Sequence, residues 1–439
     1  MSRERMTSCG PIRGNERPDC EEYLGVRYAR AERFRYAVPV ERWEGSYDAT
    51  HFGPACCQYR QVAPHLDVPE RAFYHREFRE GLTFTYSEDC LNLNIYVPKT
   101  GGKHPVLLYY HGGGFNSMAN SESYLDGAAY ARRGVILVAA NYRVGVFGYL
   151  THEEIERSEG RDGNFGLDDQ MKALRWVRRN IASFGGDPEN ITIMGQSAGA
   201  ISVQLMLLSP AVRGCFRRAV MLSGAGAFPR FAQPKDHRDT RAYWLSVIEK
   251  SGAESFEAFR ALPAEEVLRA VEQVKAERRD NVYNTQPVID GLLLPKRVGE
   301  LIRHPAPVDT LVGYTNRDMY TALLAGMAHR YARANRAYLY CFDADAPGDG
   351  NAAFHSSDLR YVFGTLNRSW RPYDERDEAL SALMLDYLAA FCRTGDPNGG
   401  GRPRWEKGRG ALILRRDDTA MGRPPLGKLL RGTFMGEPK

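Results

Sequence analysis

Seven short apolar runs punctuate the chain: residues 91–97 (LNLNIYV), 105–111 (PVLLYYH), 134–142 (GVILVAANY), 191–194 (ITIM), 219–223 (AVMLS), 310–314 (TLVGY) and 338–342 (YLYCF). Several are apolar throughout rather than alternating, the pattern of a strand covered on both faces. Amphipathic segments lie between them. In the clearest, Leu167, Met171, Leu174, Val177, Ile181 and Phe184 recur at steps of three and four and predict one stripe of a helix. The GGDPEN stretch that follows ends that helix and leads into the next strand. Strands alternating with helices predict an α/β fold, a mostly parallel central sheet with helices on both faces. Residues 228–305 lack strand-like runs and are rich in charged, helix-like segments. They predict a helical excursion, a reduced cap, within one domain spanning residues 1–439.

With 43% hydrophobic and 11% aromatic residues, the chain can bury a large core. Its net charge of +5, from 59 Lys and Arg against 54 Asp and Glu, is spread along the sequence and forms no basic stripe. Nucleic-acid binding is therefore not expected. No apolar run approaches the roughly 18 residues of a membrane-spanning helix, and the N-terminus lacks the apolar core of a signal peptide. The expectation is a cytoplasmic protein with no membrane anchor. Eight scattered cysteines show no zinc spacing. Neither metal nor cofactor is expected, and the sequence is silent on oligomeric state.

The chemistry centres on ITIMGQSAGA, where an apolar strand breaks at Gly195 and a second apolar run follows Gly199. Gly-x-Ser-x-Gly between strand and helix is the pattern of a nucleophile elbow: the turn strains the serine backbone and leaves no room for side chains at the flanking glycines. Ser197 is the candidate nucleophile. The helix that starts after it aims free amides at the reaction centre. YYHGGGF, residues 109–115, places three glycines at the end of a strand, where backbone amides can approach an oxyanion. Gly113, Gly114 and Ala198 are the candidate donors. A phosphate loop is disfavoured because no Gly-Lys-Ser/Thr follows.

The serine needs a base, and the base needs an orienting acid, in the chain order Ser, Asp or Glu, His. His237, in KDHRD, reads as a solvated surface residue; His304 lies in a loop; His329 lies in a helix-like segment. His355 follows the strand YLYCF in a loop and is the best-placed base. Asp318 follows the preceding strand and is the favoured acid, with Asp358 as a rival local to His355. Asp290, before Gly291, reads as a structural turn.

Together these segments resemble the type-B carboxylesterases, relatives of the cholinesterases within the α/β-hydrolase fold. The resemblance runs from YLGVRYARAERF through FGPACCQ, SEDCLNLNIYVP, HGGGF, NYRVGVFGYL and GNFGLDDQ to GQSAGA, PVIDGLLLP, FHSSDLRYVFG and FCRTGDPNG. It implies hydrolysis of small-molecule carboxylic esters through an acyl-enzyme, with Ser197, Asp318 and His355 as the triad and Gly113, Gly114 and Ala198 as the oxyanion hole. It also implies a triad-supporting role for Ser223, an Arg33–Glu88 ion pair, and a Cys56–Cys90 match to a disulfide of secreted relatives. Five departures stand out. The family's acid is usually glutamate, and glycine usually follows it; here they are Asp318 and Met319. Only 37 residues separate Asp318 from His355, which implies a shallower and more open pocket. Gln196 replaces the glutamate that precedes the cholinesterase nucleophile, and the choline-binding tryptophan is absent, so choline selectivity is not expected. Phe115, Phe228, Phe231 and Phe354 are candidates for shaping the acyl pocket. An amidase using the same triad, or a non-catalytic binding protein on the same fold, remains an alternative reading.

Overall fold

The structure, a computed structural model, describes residues 2–59, 68–224, 233–278, 284–298, 306–318, 321–348 and 353–423. His304, Met319, Phe228 and Phe231 lie outside the described residues. All seven apolar runs form strands of one 13-stranded sheet. In chain order its principal strands are β1 (Ser2–Thr7), β2 (Gly10–Glu16), β3 (Cys20–Arg27), β4 (Asn92–Pro98), β5 (His104–Tyr110) and β6 (Ile136–Ala140). They continue with β7 (Gly186–Gln196), β8 (Arg218–Leu222), β9 (Asp309–Thr315), β10 (Tyr338–Phe342), β11 (Ala411–Leu414) and β12 (Ala420–Gly422). The spatial order is β1-β2-β3-β4-β6-β5-β7-β8-β9-β10-β11-β12. From β6 to β11 every neighbouring pair is parallel, and antiparallel pairs close both ends.

The apolar runs divide by residue parity between two cores. Val106, Leu108 and Tyr110 of β5 pack into one hydrophobic cluster, whereas Leu107 and Tyr109 pack into another. Ile136, Val138 and Ala140 of β6 separate from Leu137 and Ala139 in the same way. Alternating side chains point to opposite faces, so a strand that is apolar at every position needs a cover on each side. The predicted amphipathic helix spans Phe165–Asn180, and a 3₁₀ turn over Ile181–Phe184 completes its stripe. Within the excursion, helices form at His237–Lys250, Phe256–Ala261 and Ala264–Glu277.

Register places the site. Tyr110 pairs with Gly195, Gln196 with Leu222, and Thr315 with Phe342. Strands β5, β7, β8, β9 and β10 therefore end along one edge, where the loops after parallel strands gather functional groups.

Candidate active site

Strand β7 stops at Gln196, and helix Ala198–Leu208 starts at the next residue but one. Between them Ser197 has φ 55° and ψ −123°, strained for an L-residue. The turn is pinned by the Ser197 amide, which donates to the Leu222 carbonyl at 2.8 Å. The flanking glycines are sterically required. A Cβ on Gly195 would overlap the Gly199 carbonyl and lie 2.7 Å from the Ala200 nitrogen. One on Gly199 would overlap the Tyr110 carbonyl and lie 2.6 Å from that of His111.

The loop after β5 lies against this elbow. A Cβ on Gly112 would sit 3.1 Å from the Ser197 Cβ. Gly113 and Gly114 have φ of 94° and 60°, and the turn is closed by the Asn116 and Ser117 amides, which donate to the Gly113 carbonyl at 3.0 and 3.1 Å. The amides of Gly113, Gly114 and Ala198 donate to no acceptor among the described residues. Free amides beside a strained serine are the chemistry of an oxyanion site.

Asp318 and His355 are brought together from separate loops. The Arg317 amide donates to the Ala353 carbonyl at 2.9 Å, a bridge that lays one loop beside the other. His355 Nδ1 then bonds Asp318 Oδ1, while Asp318 Oδ2 accepts from the Thr315 amide at 3.1 Å. Asp318 and His355 are 3% and 7% exposed. The rival acid is committed elsewhere: Asp358 Oδ2 accepts from the Tyr340 hydroxyl at 2.7 Å. Burial pushes the Asp358 carboxyl up to about 6, against the pull of the tyrosine hydrogen bond. The other ring nitrogen, His355 Nε2, lies 3.3 Å from Gln196 Nε2. Ser197 Oγ has no hydrogen bond among the described residues, so serine and base share the strand edge without yet being joined.

Other expected residues divide. Arg33 and Glu88 form a bidentate pair, and Arg33 Nη1 also bonds the carbonyls of Arg260 and Leu262, tying the pair to a helix of the excursion. Ser223 lies just beyond β8 with φ 52°, and its buried Oγ has no partner among the described residues. Phe115 and Phe354 are buried, Phe354 against Phe73 with centroids 5.5 Å apart. Cys56 and Cys90 are free thiols; the Cys56 contact and burial push the Cys90 thiol well above its ordinary range. Asp290 is a turn residue, accepting from the Leu292 and Leu294 amides at 3.1 and 2.9 Å.

The surface reading of His237 is wrong. It is 8% exposed, with Nδ1 bonded to Asp162, which also accepts from Arg241 at 2.9 Å. Its charged sequence neighbours concealed that distant partner. Two residues close to His355 carried no sequence signal. The Tyr74 hydroxyl donates to the His355 carbonyl at 2.7 Å, and Ser356 Oγ accepts from Gln196 Nε2 at 2.7 Å.

The profile of the carboxylesterase family matches residues 2–330 and 319–412, nearly the whole chain. The chain belongs to the carboxylesterase family. The para-nitrobenzyl esterase of Bacillus subtilis (strain 168) is 33% identical, with 89% of this chain and 90% of that protein aligned. The fumonisin B1 esterase of Sphingopyxis macrogoltabida is 30% identical, over 91% of this chain and 72% of its own. A solved PNB esterase superposes with a TM-score of 0.84 at 26% identity, covering 99% of this chain and 100% of that one. The fold is the α/β-hydrolase fold, and this carboxylesterase-family chain is a serine ester hydrolase acting on small-molecule esters. Among the described residues no helix is long and apolar enough to cross a membrane.

Proposed function

We propose that this carboxylesterase uses Ser197 as nucleophile, His355 as general base and Asp318 as the orienting acid, on a broad range of small to medium carboxylic esters. The observation that carries the assignment is the Asp318–His355 Nδ1 bond beside the strained elbow serine. That bond fixes the tautomer: with Nδ1–H donated to Asp318, Nε2 carries the lone pair that can take the serine proton. Catalytic hydrogen bonds are often loose before substrate arrives, so Nε2 turns from Gln196 to Ser197 as the complex forms. Ser197 Oγ then attacks the ester carbonyl. The amides of Gly113, Gly114 and Ala198 hold the oxyanion, supported by their free donors. His355 returns the proton to the leaving alcohol and then activates the water that releases the acid.

The name of the Bacillus relative supports an aromatic alcohol such as p-nitrobenzyl as one leaving group. Neutral Gln196 beside the serine supports poor selectivity for choline esters. We read residues 228–305 as a cap on a single 1–439 domain. We read the setting as cytoplasmic, where the eight cysteines would stay reduced. The decisive experiment is labelling by a fluorescent organophosphonate alongside turnover of p-nitrophenyl esters of graded chain length and matched anilides. Wild type is expected to label and to prefer esters; Ser197→Ala is expected to do neither. Labelling of Ser197→Ala at the wild-type rate would overturn the assignment.

A further inference from the structure

Each of the two residues that would exchange the proton has a neighbour in the chain that touches the other's loop. Gln196 precedes Ser197 and Ser356 follows His355; their side chains meet, Gln196 Nε2 donating to Ser356 Oγ at 2.7 Å. The same nitrogen lies 3.3 Å from His355 Nε2. All three residues are nearly buried, Gln196 at 1% and His355 and Ser356 at 7% exposure each. Ser356 has φ 74°, the left-handed region that favours glycine, so its backbone is held against its preference. A hydroxyl is what glycine would lack there, and that hydroxyl is spent on Gln196.

We propose that Gln196 and Ser356 form a neutral latch between the nucleophile elbow and the histidine loop, which positions His355 by giving its Nε2 a donor to face until substrate enters. This rests on the triad reading above. With Nδ1–H committed to Asp318, Nε2 can only accept, and an amide N–H can only donate. A donor facing Nε2 is matched to the lone pair there. A carboxylate in its place would do the opposite, accepting from a protonated Nε2 and weakening the resting base. The charged groups already around the imidazole are Asp318 at Nδ1 and the buried Asp358 carboxyl, so the latch adds no further charge. Ser356 aims the amide: it takes one of the two N–H bonds and leaves the other for Nε2. Gln196 and Ser356 are thus positioning residues, acting through His355.

The test is the pH profile of kcat/KM for p-nitrophenyl acetate in Gln196→Glu, Ser356→Ala and Ser356→Gly, with phosphonate labelling of each and of Ser197→Ala. Gln196→Glu is expected to move the acid limb upward by about one pH unit, a tenfold loss below it. Ser356→Gly relieves the backbone and should melt no lower than wild type, yet lose about five- to tenfold in kcat with KM little changed, as Ser356→Ala does. Three stable variants with wild-type profiles and kcat would overturn the latch while an unlabelled Ser197→Ala left the triad standing. Labelling of Ser197→Ala at the wild-type rate would instead remove the reading beneath it.

Discussion

At the scale of single residues, two buried aspartates near one histidine have divided their work. Asp318 faces Nδ1 and accepts a backbone amide; Asp358 faces a tyrosine and is held up to about 6. Replacing Asp318 with Asn should lower kcat on the order of 10³- to 10⁴-fold, because an amide can donate to Nδ1 and so favour the wrong tautomer. The check is steady-state turnover, with circular dichroism showing the fold retained. Asp358→Asn should leave kcat within about threefold and change stability instead. The folded protein binds the Asp358 proton more tightly than an unfolded aspartate, whose value is about 3.9. That carboxyl's favourable contribution is therefore full below about pH 4 and is lost as pH rises through 6. The Asn variant is free of this loss, so urea unfolding should find it more stable by about 1–3 kcal/mol at pH 8, with the gain vanishing near pH 4. A variant less stable than wild type at pH 8 would show that the buried charge is compensated.

Among elements, the site depends on how closely backbones approach and on what holds the histidine loop. Gly199→Ala would drive a methyl into the carbonyls of Tyr110 and His111, both on or just past a central strand that cannot retreat. The expected result is loss of phosphonate labelling together with a drop of several degrees in melting temperature. Helix Pro69–Phe78 acts on the other side: Tyr74 bonds the His355 carbonyl, and Glu77 pairs with Arg360 just beyond the same loop. Tyr74→Phe keeps the ring and deletes that hydrogen bond. It should cost about 0.5–1.5 kcal/mol of stability and lower kcat more than it raises KM. At this scale the sequence was informative where both faces of an element are buried. Every apolar run became a strand, and GQSAG between strand and helix could be placed at a turn. Strands β1 to β3 were not foreseen because SRERMT, GPIRGNE and CEEYLGVR mix charged and apolar residues, forming neither a continuous apolar run nor a clean alternation. The Asp318–His355 pairing was anticipated from chain order. The Tyr74 and Ser356 contacts were not, since a hydroxyl meeting a partner far along the chain leaves no local pattern.

For the whole molecule, the edge that carries the site is only as stable as the core beneath it, and that core contains a charge. Arg143 and Asp169 are 4% and 0% exposed and form a bidentate pair, with bonds of 2.7 and 2.8 Å, while Asp169 also accepts the Arg143 amide at 3.2 Å. Arg143 reaches further, donating to the Arg35 carbonyl at 2.7 Å. The pair thus joins the loop after β6, helix Phe165–Asn180 and the segment before residue 40. Desolvation works against the charge, but the attraction and hydrogen bonds of Asp169, with Cys90 and Asp168 adding to them, together raise the guanidinium above its ordinary range, so Arg143 stays charged. Deleting one partner leaves the other charge buried and unpaired, which typically costs about 3–5 kcal/mol. Asp169→Ala should therefore lower both the urea midpoint and the melting temperature sharply. Because neither residue touches the triad, the folded fraction should retain the wild-type kcat per labelled serine. Replacing both partners with apolar residues of similar volume should recover much of the stability, since the desolvation cost then disappears along with the attraction. If the double variant were no better than Asp169→Ala, the lost stability would lie in the three-way tether through Arg35 rather than in the stranded charge.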